Sequence, residues 1–323
     1  LSGHLDVYMH PRTVLRILRI EGLIPFTGCA LLLGFVVTLW ETGFGGADWR
    51  LFVVAAVGAF LIHADAHIWN DIMDLEIDRQ EKSQETGRDR PLVFSWATVA
   101  EYRRISVVIT VAIVVLAASL TLYRVFAPLL FLLGFAFDYG YNHPRFALAH
   151  GPFTEWYIFP WLVVGVTVTL VYAATNTFSM LAFALSLLHG LTVSCFVVSM
   201  MRRDVNSDRL GGKRTSSVQS PEVPHATIYG IVTLVVSVVM VYPLTLVLGN
   251  LLLAYLLCLA SALIAGVNTV IGARIDQLCT RALFSIFPEF EAKANRLMLQ
   301  QVGASIVHVS AVCLILAILG GIA

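Results

Sequence analysis

Nine stretches of this chain are long and apolar enough to cross a lipid bilayer: about 21–40, 52–69, 104–122, 126–142, 157–175, 180–200, 227–248, 250–273 and 301–323. A spanning helix needs about 20 mostly apolar residues to cover a hydrocarbon core of about 30 Å. No stretch alternates polar and apolar residues like a barrel strand, and only helices and closed barrels satisfy their own backbone groups inside lipid. The expected fold is therefore all-α: a polytopic membrane protein, with about nine transmembrane helices around a central cavity, forming one domain over residues 1–323. Composition agrees: 58% of residues are hydrophobic and 13% charged, against roughly a quarter charged in a soluble domain. A formal net charge of +0 gives no reason to expect nucleic acid as a partner.

The connections between these stretches fall into two sets. One holds the N-terminal segment and the loops near 70–103, 143–156, 201–226 and 274–300; the other set is short. Of the 21 Lys and Arg, all but Arg50 and Arg124 belong to the first set. The positive-inside bias makes that side cytoplasmic, the N-terminus included. The polar, basic start of the chain does not read as a cleavable signal. The five cysteines show no ligand spacing and read as small buried hydrophobes.

The first long loop opens on "NDIMDLEIDRQ", residues 70–80. Asn70, Asp74 and Asp78 follow one another every four residues, so on a helix they drift by only about 40° per step and form one stripe. Asp71 lies about 60° from Asp74 on the same helix, close enough to assist. Carboxylates stacked beside hydrocarbon are hard to keep ionised unless a cation joins them. An oxygen-only ligand set of this kind suits Mg²⁺, which completes its shell with water and substrate phosphate. A second cluster, "RRDVNSDRLGGKR", repeats the spacing with Asp204 and Asp208. Each is trailed by basic residues: Lys82, Arg88 and Arg90 after the first, Arg209, Lys213 and Arg214 after the second. Carboxylates for metal and cations for phosphate oxygens make a plausible grip for Mg²⁺-diphosphate. One such charge run at a membrane edge is most simply a solvated loop; two on the same side are not.

At these residues the chain resembles the UbiA superfamily of intramembrane prenyltransferases. The first motif of that family, NDxxDxxxD followed by RPL, is matched by Asn70-Asp71, Asp74, Asp78 and Arg90-Pro91-Leu92. The second, DxxxDxxxGxKS, is matched by Asp204, Asp208 and Gly212, with Arg214 at the Lys position and Thr215 at the Ser position. A Tyr-xxx-basic element recurs as Tyr141 and Arg145, and Arg19 is a looser match to the Arg that opens the first helix of the family. The loop between Asp78 and Arg90 is longer than the family pattern, and Arg for Lys changes donor geometry.

The resemblance implies an enzyme that ionises an isoprenyl diphosphate with the help of Mg²⁺, two ions being expected. Asn70, Asp71, Asp74 and Asp78 would hold one ion, and Asp204 and Asp208 the other. Lys82, Arg88, Arg90, Arg145, Arg214 and Arg19 would bind diphosphate. Tyr139, Tyr141, Trp69 and His67 would line the cavity or face the allyl cation. The partners implied are the isoprenyl diphosphate, a lipophilic acceptor and membrane lipid. A terpene cyclase of the same superfamily, needing no acceptor, would carry the same ionisation motifs. A secondary transporter fits less well, because its charged sites belong near the bilayer midplane. His63 and His67, one turn apart around Asp65, read as polar cavity lining. Glu155 is either an acceptor-orienting group or an interfacial carboxylate, and His189, Asn268 and His308 read as links between helices.

Overall fold

The computed structural model describes residues 11–18, 23–82, 91–142, 146, 148–282 and 288–319. Among these residues there is no strand. A short helix, Pro11–Ile17, precedes the first long one. The main helices are α1 (Ile24–Thr42, opening on a π-turn), α2 (Trp49–Met73), α3 (Leu75–Lys82), α4 (Val99–Thr121), α5 (Ala127–Asn142), α6 (Thr154–Thr175), α7 (Met180–Arg203), α8 (Val205–Leu210), α9 (His225–Leu248, irregular at Met240), α10 (Leu251–Ala282) and α11 (Pro288–Leu319). Eight of them, among the described residues, are long and apolar enough to cross a membrane. The ninth expected span, 126–142, is α5, whose 16 residues fall short of that length.

Helix ends follow local chemistry. The Asp48 carboxylate accepts from the Arg50 and Leu51 amides and starts α2. Thr98 and Glu101 form a reciprocal capping box at the head of α4. The segment from Pro288, mixed in polarity, continues without a break into the last span as one 32-residue helix.

α7 is the axis of the bundle. Its apolar window is 83% buried, more than that of any other span among the described residues, and it packs against α1, α6, α9, α10 and α11. Small residues permit the close approaches. A Cβ on Gly190 of α7 would stand 2.8 Å from Cα of Pro160 in α6, and one on Gly272 of α10 would stand 2.7 Å from the Ala226 carbonyl of α9. Polar groups cross the same interfaces, as membrane helices favour. His189 meets His308 at 3.3 Å, His308 meets Ser261 at 2.7 Å, and the Asn268 amide donates to the Thr192 carbonyl at 3.4 Å. At one end of the axis the fully buried Arg202 pairs with Asp276 of α10 at 3.0 Å. Four of the five cysteines are buried and all are free.

Candidate active site

The two acidic motifs fold into the same local shape. Each long span ends on an aspartate just short of regular helix, Asp74 (φ −89°, ψ 7°) for α2 and Asp204 (φ −87°, ψ 11°) for α7. A short helix then continues at an angle, α3 bearing Asp78 and α8 bearing Asp208. The backbone ladder survives both bends, since the amide of Asp78 donates to the Asp74 carbonyl and that of Asp208 to the Asp204 carbonyl, each at 2.8 Å. The expected single stripe is thus a bent one. α3 and α8 touch, and Gly211 permits it, because a Cβ there would lie 2.4 Å from the Ile77 side chain.

This packing brings the clusters together around one side chain. Lys213 Nζ lies 2.9 Å from Asp74 Oδ2 and 3.3 Å from Asp208 Oδ1. Gly212, at φ +74°, turns the chain through a conformation that disfavours other residues. The Lys213 amide then donates to the Asp208 carbonyl, and the Arg214 amide to the His150 carbonyl, each at 2.8 Å. Lys213 is thereby directed inward and the Arg214 side chain is exposed. Asp74 also accepts from the Asn70 amide at 3.1 Å and faces His150 Nε2 at 3.3 Å.

Asp71, Asp74, Asp78 and Asp208 are all buried. Burial by itself pushes the Asp74 carboxyl up, but the hydrogen bond with His150 and the Lys213 charge overcome it and hold it at about 2. For Asp208 burial dominates; Lys213 offsets only part of it, Asp204 opposes ionisation, and the carboxyl is raised to about 7. Lys213 is favoured as the cation, because its two carboxylates outweigh its own desolvation. Asp74 and Asp208 are thus pushed in opposite directions, the first toward its charged form and the second toward its protonated one.

The other residues singled out by the sequence are distributed as follows. Asp204 is gripped by both arms of the Arg203 guanidinium, which also reaches Asn295 of α11 at 2.7 Å. Asp71 accepts from Tyr102 of α4 at 3.4 Å. The Tyr141 ring packs edge-on against Phe159, with centroids 5.5 Å apart, and its phenol is within electrostatic reach of Lys213 and Asp74. Tyr139 is 42% exposed and leans on Phe146. Trp69 is half-buried, and His67 stacks on His63 at 4.8 Å. Arg19, Arg88, Arg90 and Arg145 lie outside the described residues, as does the side chain of Lys82. Glu155 is buried and accepts from the Ser216 amide and hydroxyl.

Sequence reasoning left out His150, Phe26 and Phe159, and named Lys213 only among the basic residues that trail the second motif. Lys213 had a signal, standing next to the basic residue the motif selected; His150 had none. Phe26 joins His63, Phe159 and Phe196, with centroids 5.8, 5.7 and 6.4 Å away, in an aromatic cluster that continues through Phe159 to Tyr141. Cation-compatible rings thus run from the acidic cluster into the bundle.

The donor set fits a hard cation. The side chains converging here are oxygen ligands, Asp208 Oδ2 is buried with no hydrogen-bond partner, and one lysine serves two facing carboxylates. Among the described residues, no three His, Cys, Asp or Glu side chains converge enough to coordinate a metal alone. An ion there would have to draw part of its shell from water and substrate phosphate.

The sequence model of the UbiA prenyltransferase family matches residues 30–287. No curated protein matches the chain. Among solved structures, the apo UbiA homolog from Aeropyrum pernix K1 is similar at 17% identity and a TM-score of 0.62, over 92% of this chain and 98% of that one. A UbiA homolog from Archaeoglobus fulgidus bound to GPP and Mg²⁺ is similar at 14% identity and a TM-score of 0.56, over 92% and 99%. A digeranylgeranylglyceryl phosphate synthase is similar at 17% identity and a TM-score of 0.51, over 93% and 98%. At these identities the likeness is one of fold.

Proposed function

The chain belongs to the UbiA prenyltransferase family, and on that premise we propose that it cleaves an isoprenyl diphosphate at the Asp74–Asp208 cluster and transfers the prenyl group to a lipophilic acceptor, aromatic or quinone-precursor in type, releasing pyrophosphate. The observation that carries this reading is the buried cation seat between the two motifs, where Lys213 bridges Asp74 and Asp208 at 2.9 and 3.3 Å. The Archaeoglobus homolog of the same fold, bound to GPP and Mg²⁺, supports it. So does the concentration of Lys and Arg on one set of loops, which favours a cytoplasmic placement of the motifs and the N-terminus.

Asn70, Asp71, Asp74 and Asp78 would hold one Mg²⁺, and Asp208 with Asp204 a second, Asp204 having first to release Arg203. When bound, the ions would supply the charge neutralisation that makes diphosphate a better leaving group. The chain does the rest. Lys82, Arg88, Arg90, Arg145, Arg214 and Arg19 would receive the diphosphate oxygens. The allylic C–O bond breaks with its electron pair leaving on pyrophosphate. The allyl cation left behind is sheltered from water by the bundle and faced by Tyr141, Phe159 and Phe26. Capture by the acceptor forms the new bond, and the acceptor gives up a proton.

Product analysis tests the assignment. The purified protein in lipid nanodiscs would be given geranyl, farnesyl or geranylgeranyl diphosphate and Mg²⁺, with and without a phenolic acceptor. Prenylated acceptor, lost on adding EDTA, is the expected result. A cyclic hydrocarbon or alcohol released without acceptor would replace transfer by cyclisation.

A further inference from the structure

Lys213 stands between one carboxylate of each proposed metal set. Its ammonium is shared between two carboxylates that come from different motifs, 139 and 5 residues back along the chain. The side chain is only 10% exposed, so bulk water screens these charges little. A magnesium ion bonds carboxylate oxygen at about 2.1 Å, well inside the 2.9 and 3.3 Å of the ammonium contacts. The ammonium touches only Asp74 Oδ2 and Asp208 Oδ1, yet an ion bound to either carboxylate would stand within about 5 Å of it in a desolvated pocket, where like charges repel strongly.

We infer that Lys213 is an internal counter-cation that neutralises Asp74 of one proposed metal set and Asp208 of the other until substrate arrives, competing with divalent ions for those carboxylates and then moving to a diphosphate oxygen. The inference rests on the reading that these carboxylates take a divalent ion. The geometry suits such an exchange. An ammonium on a flexible four-carbon stem binds phosphate as a point charge and can turn without losing a planar fit. The Lys213 and Arg214 amides keep the backbone anchored to Asp208 and His150, so the side chain alone has to turn. The metal ion alone must displace the lysine from two partners. Metal with diphosphate offers the lysine a new partner in exchange, so ion and substrate bind better together than apart.

This role separates from its alternatives by the sign of two measurements. A lysine that only braced the site would, on removal, weaken metal binding. One that only gripped diphosphate would leave metal binding unchanged. A competing lysine, once removed, lets the metal bind more tightly while diphosphate binds less well.

The test is Mn²⁺ titration of the full chain in nanodiscs, free ion being read from its EPR signal, for wild type, Lys213→Met and Lys213→Gln. Gln can still hydrogen-bond both carboxylates and guards against a Met variant that fails to fold. Without diphosphate, both variants should bind Mn²⁺ on the order of tenfold more tightly than wild type. With Mn²⁺ saturating, inorganic pyrophosphate should bind both variants on the order of tenfold more weakly. Equal or weaker Mn²⁺ binding in the folded variants overturns the inference while leaving the metal assignment standing. Failure of wild type and variants alike to bind Mn²⁺, with or without pyrophosphate, overturns the metal assignment itself and this inference with it.

Discussion

Lys213 Nζ lies 2.9 Å from Asp74 Oδ2, across 139 residues of sequence. That contact joins the ends of α2 and α7 and places the two acidic motifs around one charge. Asp74 and Asp208, both buried, are nonetheless shifted in opposite directions, because His150 joins Lys213 at Asp74 while the Asp204 charge opposes ionisation of Asp208. Asp74 has two further partners, Asn70 and His150, whereas Asp208 Oδ2 has none.

Replacing Asp74 by Asn removes the carboxylate that is pushed toward its charged form. Turnover at saturating Mg²⁺ should fall by at least about 10²–10³-fold, the scale of losing one preorganised electrostatic contact at a reacting centre. Far-UV circular dichroism should stay helical, separating lost chemistry from lost fold. Asp208→Asn should behave alike, and full activity in either variant would remove the residue from the metal site.

Metal binding should depend on pH through Asp208. Its carboxyl in the folded protein is raised to about 7, above the ordinary carboxylate range, so below that pH a divalent ion must expel a proton. Affinity for Mn²⁺ should therefore rise with pH up to about 7 and level off above, by about tenfold between pH 6 and pH 8. The same shift makes the metal-free protein lose stability as pH climbs from about 4 through 7, because the folded state holds the proton more tightly than the unfolded chain. Titrations at several pH values check the first effect, and Asp208→Asn should flatten the curve.

Asp276 holds three helices together. It accepts from Arg202 of α7 at 3.0 Å and from the Thr227 amide and hydroxyl of α9 at 2.8 and 2.7 Å. Asp276→Ala strands a fully buried guanidinium and should cost about 3–5 kcal/mol of stability, whereas Arg202→Met combined with Asp276→Leu should recover most of it. Unfolding in mixed detergent micelles would measure both.

Gly190 sets the distance between α6 and α7. Its missing side chain is what lets the Pro160 backbone come within 2.8 Å of where a Cβ would be. A main-chain atom cannot turn aside, so Gly190→Ala should push the helices apart at a cost of roughly 1–3 kcal/mol. The thermal unfolding midpoint reports the change, and Gly165→Ala, where an added Cβ meets nothing within 4 Å, is the control.

Hydropathy placed the long helices correctly because spanning a bilayer is a local requirement, met by each run on its own. At α5 the expected span meets a helix of 16 described residues, shorter than the other spans. The bends at Asp74 and Asp204 were invisible for the opposite reason. The four-residue spacing is the same in a straight helix and in one that turns on its cap.

The sequence by itself determined the all-α membrane fold, the family, and the carboxylates of both motifs, since each is written in spacing along a single segment. Tertiary structure alone decided which charges meet. The motif register points to Arg214, yet the turn at Gly212 and the anchor on the His150 carbonyl, 64 residues away, turn Arg214 outward and Lys213 in. Asp204 reads as a metal ligand equal to Asp208, yet its neighbour Arg203, steadied by Asn295 from the last helix, already holds it. Side-chain direction in a loop, and the partner a buried charge finds there, depend on what distant helices bring to the same place.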